Sequence, residues 1–206
     1  MVPAAPDRPK VGSPEHPMRV LTRAIAFEPG AWTRDRIAQV QGLFDGLAPE
    51  WNARLHAGEL AVPLRDCFAR GGPLGGRALE VGSGTGLGTP VLAEQFSAVV
   101  AFDLSLGMLR EAPADVAPRV QADAAALPVR TACADAVVLV NVFLFAAEVD
   151  RVLAPGGAVV WVNTLAEDTP IHLPAEDVAA ALPGEWDGVT AEAGWGSWAV
   201  FRRAGQ

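Results

Sequence analysis

The stretch Ala78–Gly88 constrains this chain more than any other, because an apolar strand there runs directly into a glycine-rich turn. We expect a strand over Arg77–Val81, a turn with Gly82, Gly84 and Gly86 at alternate positions, and a helix that begins near Gly86. Glycine tolerates positive φ and leaves the backbone uncovered, so a ligand can lie directly against the N–H groups of the turn. The pattern therefore predicts a ligand cradle between a sheet and a helix.

The spacing of the glycines narrows the kind of ligand. The dinucleotide fingerprint G-x-G-x-x-G/A needs a small residue at its sixth position. Counted from Gly82, that position holds Leu87, and the third glycine comes one residue early, at Gly86. The turn is of nucleotide-binding type but has the wrong spacing for a pyrophosphate. This argues against a nicotinamide-dependent oxidoreductase, which stays as an alternative.

Polar residues end three later apolar runs. Asp103 lies 21 residues after Gly82, Asp123 lies 20 residues further on, and Asn141 ends the next run. The carboxyl ends of parallel strands meet at one edge of a sheet, where ligands bind at the switch point, so we expect one crevice to collect these side chains. Position and residue type suit Asp103 to accept from both hydroxyls of a ribose. The alternative is that such acids are ordinary caps and turn formers.

These features resemble a known family. Leu79-Glu-Val-Gly-Ser-Gly-Thr-Gly86 looks like motif I of the class I S-adenosylmethionine-dependent methyltransferases, and Asp103, Asp123 and Pro155-Gly-Gly157 follow in the family's order. The resemblance covers residues 77–163. It implies S-adenosylmethionine as cofactor, S-adenosylhomocysteine as product, and methyl transfer to the O, C or N atom of a small, partly apolar metabolite. The alternative on the same fold is a non-catalytic, cofactor-binding regulator or partner subunit.

The resemblance also implies roles for individual residues. In the family the residue matching Asp123 accepts from the adenine amino group, and the Ala124 N–H meets the same edge of the base. Leu104 and Met108 suit the walls of the adenine slot, and Glu80 can approach the methionine ammonium. A methionine alone is more often a core residue, and only the place of Met108 in Asp103-Leu-Ser-x-x-Met108 favours the slot. The residues implied to bind the cofactor are Glu80, Gly82, Ser83, Gly84, Gly86, Asp103, Leu104, Met108, Asp123, Ala124 and Asn141.

Catalytic residues are less clearly marked. His172 and His56 are the candidate general bases, while His16 lies in the N-terminal tail, and an unpartnered histidine also suits a structural role. After Asn141 the chain lacks the Asn/Asp-Pro-Pro-Tyr signature of methyltransferases that act on nucleobases or glutamine amides. The residues predicted to wall an apolar pocket, unless they belong to the core, are Trp32, Trp51, Phe143, Phe145 and Trp161.

The alternation of apolar strands and helices predicts an α/β fold. We expect a Rossmann-like, doubly wound, mostly parallel sheet that ends in an antiparallel hairpin. The chain divides into a mobile tail over residues 1–17, a helical leader over 18–75 and an S-adenosylmethionine-binding methyltransferase domain over 76–206. The predicted strands lie near 77–81, 98–103, 118–121, 136–141 and 158–163, followed by the hairpin 189–193 and 197–202.

The leader is predicted in pieces. Met18–Phe27 alternates like a short strand, Thr33 suits an N-cap for an amphipathic helix, and Pro49 is expected to break that helix. Pro63 suits the first turn of another helix. The resemblance implies that such a leader, with a pattern like Phe44–Trp51, covers the cofactor and substrate pocket as a lid.

Charge and composition exclude several classes. A net charge of -8 argues against nucleic acid as a partner, because phosphate binding requires a basic face. Ala136–Ala147 is the longest apolar stretch and is too short to span a membrane. Cys67 and Cys133 are expected to be two buried thiols in a reducing compartment, and no metal site is predicted. We expect a cytoplasmic protein that acts on a small molecule.

Overall fold

The computed structural model describes residues 9–54 and 57–205, except for the side chains at positions 54, 57, 59 and 60. Of the predicted tail over residues 1–17, residues 1–8 lie outside the described residues. The helices are α1 (Pro17–Phe27), α2 (Arg34–Arg54), α3 (Ala57–Arg70), α4 (Thr89–Gln95), α5 (Leu106–Glu111), α6 (Ala146–Val152) and α7 (Ala175–Ala181). The strands are β1 (Arg77–Val81), β2 (Ala98–Asp103), β3 (Arg119–Gln121), β4 (Ala134–Val140), β5 (Leu153–Asn163), β6 (Trp186–Ala193) and β7 (Gly196–Arg203).

One seven-stranded sheet organises the chain, in the order β3-β2-β1-β4-β5-β7-β6. Strands β1 to β5 are parallel, and β7 runs antiparallel to both β5 and β6. The predicted fold, with its terminal hairpin, is confirmed. The strand order reverses between β1 and β4, so a crevice opens beyond the carboxyl ends of these strands.

Both faces of the sheet are buried, which explains why its strands are continuously apolar. Val159 and Trp161 of β5 face the cluster that contains α6 and α7 residues, whereas Val160 and Val162 face α3 and α4. The core of the sheet therefore lies behind the crevice and holds the strand ends in fixed positions. No helix among the described residues is long and apolar enough to cross a membrane.

The prediction of a strand over Met18–Phe27 is wrong, because this segment is helix α1. His16, which we had assigned to the tail, caps the helix, since its Nδ1 accepts from the Met18 N–H at 3.2 Å. Met18, Leu21 and Ile25 follow a helical spacing and pack against a small apolar cluster beside the crevice. Packing on one face thus prevails over the weak alternation of the sequence.

Two prolines were also misinterpreted. Helix α2 continues through Pro49, and Pro63 lies inside α3 rather than in its first turn. An internal proline costs about 3 kcal/mol or more because a hydrogen bond is lost. In α2 the packing on both sides of Pro49 offsets that cost, since Ala48 is buried and the Phe44 and Trp51 rings meet at 5.8 Å. A further correction is that α4 begins at Thr89, three residues later than predicted.

Candidate active site

A cleft of about 1310 Å³, including its open mouth, lies at the carboxyl ends of β1, β2 and β4. Residues of α2 and of the α1–α2 connection form its other wall. The cleft brings together ten of the eleven residues predicted to bind the cofactor; only Gly86 is not part of its lining. These ten are Glu80, Gly82, Ser83, Gly84, Asp103, Leu104, Met108, Asp123, Ala124 and Asn141.

The glycine loop after β1 needs its glycines for backbone reasons. Gly82, Gly84 and Gly86 have φ values of 70°, 56° and 74°, which side chains disfavour. A Cβ at Gly82 would overlap the Val142 side chain, whereas one at Gly84 would meet no atom within 4 Å. Gly86 instead faces Ala112, 3.1 Å from the place of its missing Cβ. Gly86 therefore serves the packing of the loop on its neighbours rather than the cleft.

Three N–H groups of this loop donate to acceptors within the protein itself. Gly82 and Ser83 donate to the Phe102 carbonyl at 2.8 and 3.0 Å. Gly84 donates to Asp103 Oδ2 at 2.7 Å. These three N–H groups tie the loop to the end of β2, so they are not available to hold a phosphate.

Asp103 has the structural role of an acid at the end of a strand, and it also lines the cleft. Its two carboxylate oxygens accept from the N–H groups of Gly84 and Ser105 at 2.7 and 2.8 Å, which fixes the side chain. Burial raises the pKa of Asp103, and the nearby Asp45 carboxylate acts in the same direction. A carboxylate oxygen accepts more than one hydrogen bond, so capacity for hydroxyl donors remains on the side that lines the cleft.

Glu80 is the most buried acid of the cleft. It is only 3% exposed, and Thr89 Oγ1 donates to its Oε2 at 2.6 Å. Burial raises the pKa of Glu80 to about 7, although the hydrogen bond from Thr89 acts in the opposite direction. A cation placed in the cleft would favour the ionised form.

Asp123 has a partner that sequence reasoning missed. The indole Nε1 of Trp32 lies 3.0 Å from both carboxylate oxygens, and the Ala125 N–H donates to Oδ1 at 2.9 Å. Trp32 had been predicted only as a possible pocket wall. Its contact with Asp123 joins the leader to the end of β3, across 91 residues of sequence.

Asn141 follows β4 with a φ of 50°, and its side chain bridges the ends of β4 and β5. Its Nδ2 donates to Thr164 Oγ1 at 2.6 Å, and its Oδ1 accepts from the Thr164 N–H at 2.9 Å. Both residues line the cleft. The geometry therefore gives Asn141 a structural role in addition to its place in the lining. Leu104 and the buried Met108 also line the cleft, as predicted for the walls of a slot.

Polar contacts that the sequence did not reveal join α2 to the glycine loop and to the segment that follows β2. Asp45 Oδ1 accepts from Ser105 Oγ at 2.6 Å and from the Gly107 N–H at 2.8 Å. Thr85 Oγ1 donates to Asn52 Oδ1 at 2.6 Å. Asp45 and Asn52 are seven residues apart, two turns along α2, so the helix spans the crevice from one loop to the other.

Aromatic side chains form much of the apolar wall. Phe44 and Trp51 of α2 meet edge to face and both line the cleft. Trp32 packs against Phe143 and Phe145 with ring centroids 5.7 and 5.3 Å apart. Trp161, the remaining predicted wall residue, lies in the core with its indole N–H donated to the Leu173 carbonyl. The wall prediction therefore holds for Trp32, Trp51, Phe143 and Phe145.

Of the two predicted bases, the structure describes His172, which does not line the cleft. His172 lines a second pocket with Trp161 and Asn163, and it is not among the residues that line the cleft. Burial lowers the pKa of His172, and the Arg19 guanidinium acts in the same direction. His56 lies outside the described residues. The catalytic role of either histidine stays a prediction.

The sulfur chemistry of the described residues is unremarkable. Burial raises the pKa of Cys67 to about 12, as for an inert core thiol, whereas Cys133 is partly exposed rather than buried as predicted. No group of three or more His, Cys, Asp and Glu side chains in this part of the chain is arranged to hold a metal ion.

The fold and the cleft define an α/β protein with an acidic cleft at the switch point of its sheet. The family model described as "Methyltransferase domain" matches residues 79–161. This segment runs from β1 to β5 and includes the glycine loop, Asp103 and Asp123. Residues 79–161 therefore carry a methyltransferase domain, on a sheet whose order is typical of the class I S-adenosylmethionine-dependent methyltransferase fold.

Solved structures share this fold. A structure described as a DhpI–SAH complex is 24% identical with a TM-score of 0.66, over 82% of this chain and 98% of that one. A DhpI–SAM–HEP complex is 22% identical with a TM-score of 0.60, over 83% and 99%. A SAM-dependent methyltransferase from Thermotoga maritima, described as a possible histamine N-methyltransferase, is 15% identical with a TM-score of 0.63, over 79% and 99%. A search of curated proteins found no match.

Proposed function

We propose that this protein transfers the methyl group of S-adenosylmethionine to a small, partly apolar metabolite. The observation that carries the proposal is the charge of the cleft. Glu80, Asp103 and Asp123 line it, and none of its described lining residues is Lys, Arg or His. A cofactor with a sulfonium cation and no phosphate suits such a lining, whereas a pyrophosphate would meet three carboxylates without a counter-charge.

The glycine loop supports the same cofactor. Three of its N–H groups are bonded to Phe102 and Asp103, so the loop offers a close backbone surface rather than a set of phosphate donors. The Ser83 hydroxyl, in contrast, is buried without a hydrogen-bond partner and belongs to the lining. A polar ligand group at this position would satisfy it, as buried hydroxyls usually require.

The residues of the cleft suit distinct parts of the cofactor. Asp103 would hold the ribose hydroxyls, Asp123 with the Ala124 N–H would hold the adenine, and Glu80 would attract the methionine ammonium. Leu104 and Met108 would wall the slot for the base. The remaining predicted residues, which would shape the site close to the cofactor, are Gly82, Ser83, Gly84, Gly86 and Asn141.

The aromatic wall defines the environment of the methyl acceptor. Bound S-adenosylmethionine supplies an electrophilic methyl group, so the protein has to align a nucleophile and exclude water. Phe44, Trp51, Phe143 and Phe145 give the cleft an apolar side. Positioning of this kind contributes up to about 7–11 kcal/mol to a rate. An acceptor that is nucleophilic at neutral pH needs no general base from the cleft.

Methyl transfer can be tested with S-adenosylmethionine labelled in its methyl group. The protein is incubated with pools of small metabolites, with a nucleic acid and with a protein substrate, and labelled products are separated by solvent extraction. We expect label in small molecules that partition into organic solvent. The matched control is Asp103→Ala, which should transfer less. Label found only in nucleic acid or protein, or cofactor binding without transfer to any acceptor, would contradict the proposal.

A further inference from the structure

Trp32 is held in a rigid part of the leader. The connection between α1 and α2 turns at Gly30, with a φ of 79°, and the Ala31 N–H donates to the Glu28 carbonyl at 3.1 Å. The Arg36 side chain donates to the Ala31 carbonyl at 2.6 Å, and Ala31 itself is buried. Trp32 follows directly, so its backbone is fixed before its side chain makes any contact.

The Trp32 side chain is fixed as well. Its ring packs at steep angles of 59° and 64° against Phe143 and Phe145, which belong to the segment after β4. Tilted aromatic pairs of this kind contribute about 0.5–1.5 kcal/mol each beyond the area that they bury. The indole N–H is thereby directed at the Asp123 carboxylate at the end of β3.

The hydrogen-bonding capacity of Asp123 is nearly used. An ionised carboxylate has about four acceptor positions, two on each oxygen. Oδ1 accepts from the Ala125 N–H and from the Trp32 indole, and Oδ2 shares the indole N–H. One acceptor position therefore remains, on Oδ2. Because Asp123 lines the cleft, that position is open to a ligand there.

We propose that Trp32 is a positioning residue for the adenine end of the cofactor, because it orients Asp123 so that Oδ2 accepts from the 6-amino group of the base. The inference rests on the proposed function, in which Asp123 meets the adenine. Rotation of a carboxylate about its terminal torsion is otherwise broad. With the indole in place, that torsion is fixed before the base enters. The leader thus takes part in recognising the base and is more than a cover over it.

Selectivity for the base follows from this geometry. An acceptor in a fixed place favours a base that carries a 6-amino donor and disfavours one that carries a 6-oxo acceptor, since two acceptors would then face each other. S-inosylhomocysteine differs from S-adenosylhomocysteine only at this edge of the base, where the 6-amino donor becomes a 6-oxo acceptor and N1 gains a proton. The N1 change is the same for every variant, so comparing the ratio between variants isolates the part that depends on Asp123. The ratio of the two affinities therefore reports how well the Asp123 carboxylate is oriented.

The test is a double-mutant cycle read by calorimetry with both ligands. Trp32→Phe keeps an aromatic ring and removes the N–H, Asp123→Ala removes the acceptor, and the double variant combines them. Trp186→Phe is the matched control, because Trp186 lies on the edge strand β6, away from the cleft, and the variant removes an indole N–H that donates to the Pro183 carbonyl. If Trp32→Phe does not fold, Asp123→Asn tests the same contact by changing the carboxylate instead of the indole.

Trp32→Phe should weaken S-adenosylhomocysteine binding about tenfold, which corresponds to about 1.4 kcal/mol, and should reduce the preference over S-inosylhomocysteine. In the Asp123→Ala background it should have little further effect. Asp123→Asn should also reduce the preference, and Trp186→Phe should leave it unchanged.

Unchanged or tighter binding by Trp32→Phe would overturn the inference, since tighter binding would mean that the indole competes with the base. With Trp32→Phe unfolded, an undiminished preference in Asp123→Asn would also overturn it. Failure of the unmodified protein to bind S-adenosylhomocysteine would instead refute the proposed function.

Discussion

Glu80→Gln should stabilise the unliganded protein at alkaline pH and leave its stability at acidic pH nearly unchanged. Glu80 is 3% exposed, and burial raises its pKa to about 7. Glutamine has the same size, carries no charge, and can still accept the 2.6 Å hydrogen bond from Thr89 through its amide oxygen. The variant therefore isolates the cost of a buried charge from the effects of packing.

The sign and size follow from proton linkage. In the unfolded chain the pKa is near the ordinary 4.5, and in the native protein it is about 7. Between these values the native state binds more protons than the unfolded state, so stability falls as pH rises. At about 1.4 kcal/mol for each pH unit, the full cost is about 3 kcal/mol, present above the native pKa and absent below the unfolded one.

Urea unfolding of both proteins between about pH 4 and about pH 8.5 measures this difference. We expect Glu80→Gln to be similar to the unmodified protein at the acidic end and more stable by up to about 3 kcal/mol at the alkaline end. Glu111→Gln is the control, because Glu111 is exposed and should show no such trend. A difference that stays constant with pH would refute the reasoning, as it would show that the native Glu80 carboxyl does not titrate near neutral pH.

Three further predictions concern the cleft and its surroundings. Asp103→Ala should weaken S-adenosylhomocysteine binding by about 1.5–3 kcal/mol in calorimetry while the protein stays folded, and an unchanged affinity would show that another residue holds the ribose. Asn52→Ala removes the hydrogen bond to Thr85 and should increase amide exchange in α2, with a loss of global stability of about 1 kcal/mol or less. Unaltered exchange would show that this contact does not hold the helix. His172→Ala should leave cofactor affinity unchanged, because His172 lies outside the cleft lining. If His172 is the general base, turnover of the variant should fall about 100-fold or more, and full turnover would exclude that role.

The methyltransferase part of the fold could be predicted because its signals are local. Strands β1 and β2 lie over the predicted residues 77–81 and 98–103. The glycine loop and the acids at strand ends then follow from parallel topology alone. In the leader the local signals were weak or contrary, as the helix over Met18–Phe27 and the uninterrupted helix at Pro49 show. Tertiary packing decides such segments, and a single sequence does not display it.

The partners of the site residues were beyond prediction for a related reason. Asp123 and Trp32 are 91 residues apart, and Asn141 and Thr164 are 23 apart. Which side chains meet at such separations depends on how the elements pack, which one chain does not reveal. One signal was present but unused: Phe44 and Trp51 are seven residues apart, so they share a helix face if the helix is continuous.

Calorimetric titration of the unmodified protein with S-adenosylhomocysteine and with NAD tests the central claim most directly. The cleft is acidic, and the N–H groups of Gly82, Ser83 and Gly84 are bonded within the protein, so it should accept the phosphate-free ligand and reject the pyrophosphate. We expect saturable binding of S-adenosylhomocysteine with one site per chain and no heat of binding for NAD. Binding of NAD alone would contradict the account, because it would show that the cleft serves a dinucleotide.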